Sequence, residues 1–434
     1  MHQFLLNSFK SFFFNPSTSY DIKIFSSLIV FLPIALITGP ALPDIMLSTV
    51  AIYFLVISIL KKQWSYYQNP IVQVFLIFCI YSVLRSIFSE FPFESLFNSG
   101  SVFYFRYIFF AMGVWYLIDK NHYVINLLFI ISFLCLLVVC IDGIYQYFVG
   151  FNILGFPKHS ADRLTGFFYD EPKIGRYLAY IFMLFFALSF QMFEKNKIFY
   201  LLFIFLISLT GLTIFLSGER AAVFVYTFFL LLTCFFKNRY RTKVILSFIF
   251  LFVFILISIS IDPIAKKRVI DRSLAQISNT EIGFLPYSKG YEYHFKAALK
   301  LFIDHPLFGI GPDNYDLQCD KTEYDFKSKC ISHPHNYYFQ ILSELGVVGF
   351  LFLLSSFLSL LFMLTKQSFV QFDKINGKQL SSNLTIFTII MFVSIWPLIP
   401  HLSLYNNWQN VMIMLSLGFF MKYLFGDRSD RIIK

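Results

Sequence analysis

Two histidines stand directly before an apolar segment, in the stretch SHPHNYYFQILSELGVVGF that starts at Ser332. Proline suits the first turn of a helix because it lacks the N–H that this turn leaves unpaired, so Pro334 predicts a helix start capped by Ser332 or His333. The helix dipole disfavours an imidazolium at that end, and we therefore expect His335 to be neutral near pH 7, the form that a general base needs. The free N–H groups there also favour a diphosphate. The alternative is that both histidines only cap the helix or lie at the membrane interface.

An amphipathic pattern follows the histidines. Its apolar residues recur at helical spacing and are Tyr338, Ile341, Leu342 and Leu345. They predict a helix that lies on or enters the bilayer until Gly346 ends the pattern. The segment from Gly290 to Tyr315 repeats this design and closes with a turn rich in Pro and Gly. We therefore expect interfacial amphipathic helices that hold the His335 imidazole at the membrane surface.

The composition of the 434 residues excludes a soluble protein. Hydrophobic residues make up 57% and charged residues 14%, whereas soluble domains contain about 25% charged residues. Such a chain, with 60 Phe, is also not disordered, collagen-like, a coiled coil or a small disulfide framework. The net charge of +10 comes from basic residues that punctuate apolar runs, as topology signals do, and not from a dense nucleic-acid-binding block.

The apolar runs predict an all-α polytopic membrane protein with about twelve transmembrane helices. The predicted spans start near Ile24, Asp44, Ile71, Tyr104, Val124, Ile174, Ile198, Ala222, Val244, Gly346, Leu384 and Trp408. One long polar interruption predicts a periplasmic loop containing the interfacial helices. The expected organisation is a cytoplasmic or interfacial leader (1–23), helices 1 to 9 (24–261), the periplasmic catalytic loop (262–345), helices 10 to 12 (346–425) and a cytoplasmic tail (426–434).

The Lys and Arg residues of alternate turns predict that both termini are cytoplasmic. Three segments placed outside by this rule nevertheless carry cations: Phe151 to Lys173, the turn Ser217 to Arg220, and the long loop. Cations placed against the topology rule suggest function, and interfacial anchoring is the alternative.

Two of the six cysteines differ from the others. Cys319 and Cys330 flank DKTEYDFKSK in the long outer loop, where an oxidising periplasm would allow a disulfide; free thiols are the alternative. The remaining cysteines lie in apolar runs and are expected to act as small hydrophobic residues. No metal site is predicted, because His305, His333 and His335 lack the usual zinc spacings.

These segments together resemble the O-antigen ligase and polymerase superfamily, whose members move glycans from undecaprenyl diphosphate outside the inner membrane. The family pattern is His, then Asn, Ser or Gln, nine residues, and Gly-x-x-Gly. It is matched by His335-Asn336, the nine residues 337–345, and Gly346-Val-Val-Gly349. Further similar stretches are DGIYQYFVGFNILG, RLTGFFYDEPKIGRYLAY, SGERAA and HPLFGIGPDNY.

The resemblance implies that His335 is the catalytic base and Arg220 an essential diphosphate-binding arginine. Many members place a second arginine before the amphipathic helix, where this chain has Lys289 and Tyr291. Lys289, Arg163 or Arg176 could supply that second cation, although a lysine lacks the bidentate fork of arginine.

The remaining candidate substrate-binding residues lie in the same outer segments and are Asn336, His333, Glu219, Asp170 and Glu171. The last two could orient the acceptor or only pair with nearby cations. The implied reaction is an inverting, metal-independent and cofactor-free glycosyl transfer in the bacterial inner membrane, with the active site on the periplasmic side. Its implied partners are an undecaprenyl-diphosphate-linked glycan donor, a lipid A-core or glycan acceptor, and membrane lipid, with no nucleic acid.

Three functions stay open at this point. The first is a ligase that joins the O-antigen to the lipid A-core, and the second is a polymerase that extends the glycan on its carrier. A secondary transporter of similar span number is the third, although internal repeats and polar groups at the membrane midplane are not apparent.

Overall fold

The computed structural model describes residues 2–98, 101–160, 163–189, 197–261, 289–319, 321, 331–372 and 382–432. Over these residues the chain is all-helical, with two isolated β-bridges between α6 and α7 and no strand. The predicted all-α class is therefore confirmed. Part of the predicted long loop, residues 262–288, 320 and 322–330 with Cys330 among them, lies outside the described residues.

The helices follow one another in the order α1 His2–Phe14, α2 Tyr20–Ala35, α3 Ala41–Leu60, α4 Pro70–Ile87, α5 Phe105–Lys120, α6 Tyr123–Val149, α7 Ile174–Ser189, α8 Lys197–Leu216, α9 Arg220–Phe236, α10 Asn238–Ile261, α11 Lys289–Asp304, α12 Tyr315–Cys319, α13 Tyr337–Phe372, α14 Ser382–Ser394 and α15 Asn407–Ile432. Each of the twelve predicted spans corresponds to one of these helices.

Several helices are suited to a membrane, which confirms the membrane class. Within the described residues, five stretches are long and apolar enough to cross a bilayer: Ala41–Leu60, Pro70–Ile87, Glu94–Lys120, Tyr123–Val149 and Tyr337–Gln367. Four further helices are also apolar but shorter. Large apolar side chains such as Leu60, Phe148 and Phe362 are exposed on the outside of the bundle, as expected for a lipid-facing surface. The total of twelve crossings stays a prediction.

A polar network joins the middle of the bundle to the start of its last helix. Arg106 of α5 forms an ion pair with Asp44 of α3 at 2.9 Å. The same guanidinium donates to Asn407 Oδ1 at 2.8 Å, and the Tyr107 hydroxyl donates to that oxygen at 2.6 Å. Because Asn407 is the first residue of α15, these bonds hold the start of α15 against α5.

Helix α13 begins at Tyr337 and bends at Gly346, where φ is 65° and ψ is −166°. The sequence pattern predicted that the helix ends at Gly346, but the helical course resumes after this residue. The bend is paired with the turn after α11: Ile310 and Gly311 donate backbone N–H groups to the carbonyls of Ser343 and Glu344 at 2.9 and 2.8 Å. Val347 donates in turn to the Pro306 carbonyl at 2.9 Å.

The close fit of this bend explains two glycines of the motifs. A Cβ atom at Gly346 would overlap the backbone of Leu307, and one at Gly309 would overlap the backbone of Glu344. From α4, Arg85 donates to the Gly309 carbonyl at 2.7 Å, and the Tyr81 hydroxyl donates to the Leu345 carbonyl at 2.6 Å. The stretches HPLFGIGPDNY and SELGVVGF are thus held together by backbone hydrogen bonds as one unit, which follows closely after the histidines in the chain.

Candidate active site

His335 lies two residues before the start of α13, in the short described segment 331–336. Its backbone is left-handed, with φ of 54°, a conformation that non-glycine residues adopt rarely. The His335 carbonyl oxygen accepts the backbone N–H of His401 at 2.8 Å. A contact from the segment between α14 and α15 therefore holds the backbone of the candidate base in this conformation.

Asn336, the second residue of the motif, is the N-cap of α13. Its Oδ1 accepts the backbone N–H of Tyr338 at 2.9 Å, and its Nδ2 donates to the Pro397 carbonyl at 2.7 Å. The cap is therefore Asn336 and not Ser332 or His333 as the proline position had predicted. One amide side chain both starts the helix and binds it to the segment 397–401, which assigns Asn336 a structural role in the motif.

Imidazole and phenol rings surround His335. The rings of His333 and His335 meet edge to face at 4.3 Å between centroids. Tyr291 and His294, both on α11, approach the His335 ring at 5.3 and 6.5 Å. Helix α11 thus forms one wall of the site, at the position where many family members have an arginine.

His335 of the motif and the neighbouring His333 are neutral at pH 7. Burial lowers the pKa of His335 to about 4, with further lowering by His294 and Arg176 and an opposing effect of the His401 carbonyl. Burial also lowers the pKa of His333 to about 3. The prediction of a neutral base agrees with these values, but the main physical cause is desolvation and not the helix dipole.

Arg176 is the cation whose charge acts on this cluster. It belongs to the first turn of α7, is half-buried, and lowers the pKa of His333, His335 and His401. Its Nη1 donates to Gln409 Oε1 at 3.2 Å, and Gln409 Nε2 donates to the Tyr337 hydroxyl at 2.7 Å. Residues from α7, α13 and α15 are therefore joined through Gln409.

Glu219 holds the start of α7 in place. Its carboxylate oxygens accept the backbone N–H groups of Gly175 at 2.6 Å and Arg176 at 3.3 Å. Burial raises the pKa of Glu219 to about 7, although the charges of Arg176 and Arg163 and these backbone bonds act to lower it. Glu219 therefore supports the position of Arg176 and is half-ionised near neutral pH.

The other predicted cations lie at the starts of two helices and in the segment before α7. Arg220 is the first residue of α9 and is exposed, next in the chain to Glu219. Arg163 is exposed and lies close enough to Glu219 for its charge to act on that carboxyl group. Lys289 begins α11, but its side chain lies outside the described residues.

The two predicted acceptor carboxylates lie in the segment before α7. Glu171 forms an ion pair with Lys173, as the salt-bridge alternative had proposed. Asp170 is exposed, and its backbone carbonyl accepts the His159 Nδ1–H at 2.8 Å. Lys173 also lies over the Trp408 ring at 5.5 Å.

Cys319 is disulfide-bonded at the end of α12. Its predicted partner Cys330 lies outside the described residues, so the pairing itself stays a prediction. Among the described side chains there is no group of three or more His, Cys, Asp or Glu arranged to hold a metal ion.

His401, like His294 and Gln409, is a residue of this site that the sequence analysis did not select. It is 3% exposed, and its ring stacks on Tyr337 with 4.1 Å between centroids and an interplanar angle of 13°. Burial and the charge of Arg176 lower the pKa of His401 to about 3. The nearby Ser394 backbone acts to raise this pKa, but it does not complete a hydrogen bond to the ring. The available signal was a lone histidine in a turn without Lys or Arg, PHLSLYNNW, which lies outside the family motif.

Comparison with known proteins agrees with the motif. The family model described as O-antigen ligase matches residues 201–354, and members of this family are glycosyltransferase-like enzymes. The match includes Arg220, His335 and both motif glycines, whereas Arg176 and His401 lie outside it. A search of curated proteins finds no match. Over residues 201–354 the chain is therefore similar to the O-antigen ligase family, which confirms the resemblance to the O-antigen ligase superfamily.

Proposed function

We propose that the protein transfers an O-antigen-type glycan from a polyprenyl-diphosphate carrier to a hydroxyl group of a lipid A-core acceptor. The observation that carries this proposal is the neutral His335 imidazole, held in a left-handed backbone conformation within reach of the Arg176 charge. A neutral imidazole can accept a proton, and a nearby guanidinium can stabilise a phosphate leaving group. Both groups are needed for glycosyl transfer to a hydroxyl.

The reaction is an inverting single displacement. The acceptor hydroxyl gives its proton to a ring nitrogen of His335, and its oxygen forms a bond to the anomeric carbon. The bond from that carbon to the diphosphate oxygen breaks, and its electron pair leaves with the diphosphate. The leaving group gains one negative charge, which arginine side chains are suited to stabilise.

Arg176 is our candidate for the second diphosphate-binding cation, beside Arg220. It is fixed by its contact with Gln409 and by the Glu219 carboxylate on its backbone N–H. Its positive charge also lowers the pKa of His333, His335 and His401, which the sequence had not indicated. We therefore prefer Arg176 over Lys289 and Arg163 for this role.

The membrane location follows from the donor. A polyprenyl carrier is apolar, and an enzyme embedded in the bilayer can receive it laterally. The described apolar helices support a membrane protein, and we propose the inner membrane, with both termini cytoplasmic and the histidine cluster on the periplasmic side. Charge alternation in the turns supports this orientation.

The test is transfer by the purified protein. Polyprenyl-diphosphate-linked glycan is mixed with lipid A-core, and product is followed by gel and mass spectrometry. We expect glycan on the lipid A-core in the wild type. His335→Ala should lower turnover by roughly 10²- to 10⁴-fold, while His122→Ala, an exposed histidine before α6, should keep wild-type turnover.

Arg176 and Arg220 are tested in the same assay. Alanine at either position should raise the donor KM and lower kcat, and lysine should recover only part because it cannot bind phosphate oxygens bidentately. Longer glycan on the carrier, with none on the lipid A-core, would instead indicate the polymerase. Full turnover in folded His335→Ala protein would exclude the general-base role.

A further inference from the structure

A groove lies beside the histidine cluster, between α7, α9 and the segment that precedes α15. Its wall is formed partly by small apolar side chains, Ala179, Ala221 and Ala222. Its polar end is formed by Arg176, His401 and Gln409. The groove therefore combines an apolar surface with a cation and an imidazole.

The His401 imidazole is buried in this groove without a hydrogen-bond partner. Both of its ring nitrogens are buried, and within the described residues neither has a partner. By contrast, the backbone N–H of His401 donates to the His335 carbonyl oxygen at 2.8 Å. Burying a polar group without a partner costs free energy, because its hydrogen bonds to water are lost and not replaced. Such a group, facing a groove, points to a ligand that completes its hydrogen bonding.

The charge beside His401 indicates what kind of ligand this is. Arg176 lies at the same end of the groove and carries a positive charge, while the nearest carboxyl group that contacts Arg176, Glu219, is only half-ionised near neutral pH. The end of the groove is therefore net positive. A neutral imidazole offers one N–H, which an anionic oxygen accepts.

We propose that the polar end of this groove binds a phosphate group of the donor diphosphate, with the His401 N–H donating to a phosphate oxygen and Arg176 supplying the charge. This inference rests on the proposed function and adds His401, which lies outside the matched family domain, to the residues that contact the donor. The leaving oxygen gains charge as the glycosyl bond breaks, so an N–H directed at the diphosphate stabilises the transition state more than the ground state.

Binding of inorganic pyrophosphate tests this inference without relying on transfer. Titration calorimetry on the purified full-length protein in detergent is done for the wild type, three His401 variants and one control variant. His401→Ala removes both the ring and its N–H. His401→Phe keeps an aromatic ring on Tyr337 but has no N–H, and His401→Gln keeps an N–H donor without the ring. His122→Ala is the matched control at a histidine far from the groove.

We expect pyrophosphate affinity to fall about tenfold in His401→Ala and His401→Phe, the loss expected for one hydrogen bond to a charged group. His401→Gln should recover part of it, and the control should bind as the wild type does. In the transfer assay, kcat should fall about 10²-fold in His401→Phe. Inorganic phosphate should bind more weakly than pyrophosphate.

Several results would overturn the inference. One is wild-type affinity in folded His401→Phe protein, which would assign the ring to stacking alone. The others are absence of pyrophosphate binding by the wild type, or binding of inorganic phosphate as tight as that of pyrophosphate. If the binding results hold but no glycan is transferred, only the proposed function fails. If transfer is observed and the His401 variants bind and turn over normally, only this inference fails.

Discussion

The backbone N–H of His401 donates to the carbonyl oxygen of His335 at 2.8 Å. These residues come from different segments between helices, and His335 has a positive φ at this contact. The bond therefore sets the direction in which the His335 imidazole leaves the backbone. The turn before α15 is part of the candidate site for this reason, although it contains no family motif.

Asn336 provides a test of this arrangement. Asn336→Asp keeps an oxygen that caps α13 but lacks the Nδ2–H that donates to Pro397, so the capping and anchoring roles separate. We expect Asn336→Asp to lower turnover while changing the melting temperature in detergent less than Asn336→Ala does. Losing the cap costs about 1 kcal/mol, so the alanine variant should also be less stable. Equal turnover in the aspartate variant and the wild type would contradict the anchoring role.

Gly346 should tolerate no side chain. Its φ and ψ lie in a region that is nearly restricted to glycine, and a Cβ atom would overlap Leu307. We expect Gly346→Ala to lower the free energy of unfolding by roughly 3 kcal/mol.

The control for this substitution is Gly150→Ala. Gly150 has φ of 96° but open space around its Cβ position, so only backbone strain of about 1–2 kcal/mol applies. Thermal unfolding of both variants in detergent measures the difference. Similar losses of unfolding free energy in the two variants would mean that the close packing of Gly346 against the turn at Pro306 does not contribute to stability.

The pH dependence of turnover should report the burial of His335. Because its pKa is about 4, the imidazole stays neutral from pH 8 to pH 5, and kcat/KM should lose the contribution of the base only near pH 4. A histidine with an ordinary pKa near 6.5 would lose it about two units higher.

The stability of the fold should change with pH in the corresponding direction. The folded pKa of His335 is below its ordinary value, so the unfolded chain binds more protons between these values. Stability is therefore complete above pH 6.5 and is lost as the pH falls towards 4. Melting temperatures measured from pH 8 to pH 4 check this, and a constant melting temperature would contradict the burial of the ring.

Glu219 should make donor binding depend on pH near neutrality. Its pKa of about 7 means that below pH 7 the carboxyl group is neutral and no longer offsets the Arg176 charge. We expect pyrophosphate affinity to rise as the pH falls through 7. Glu219→Gln should remove this step, because its amide does not ionise. A step of equal size in Glu219→Gln would assign the ionisation to another group.

The contribution of Glu219 to stability changes with pH in the direction opposite to that of His335. The folded pKa of Glu219 is above its ordinary value, so its contribution to stability is complete below about pH 4.5 and is lost as the pH rises through 7. Melting curves of the wild type and Glu219→Gln between pH 5 and pH 8 compare the two. The wild type should lose stability over this range relative to the variant.

The sequence by itself determined the all-α class and the helices. Apolar runs of span length dictate helices because backbone groups in lipid must be satisfied internally, and each predicted span is a helix. The family motif pointed to His335, Asn336 and Gly346, but the sequence pattern had placed the cap at Ser332 or His333 and the helix end at Gly346, where the structure has a cap at Asn336 and a bend. A match to the family domain over residues 201–354 agrees with this selection.

Tertiary structure alone decided which distant groups meet His335. Arg176, His401 and Gln409 come from two segments on either side of the matched domain, and their contacts depend on how α7, α13 and α15 pack. No local pattern encodes such contacts, because each side chain is placed by the sum of many weak packing interactions. The low pKa of His335 is decided in the same way, since it depends on burial by α11 and the His401 turn and not on the helix that follows it.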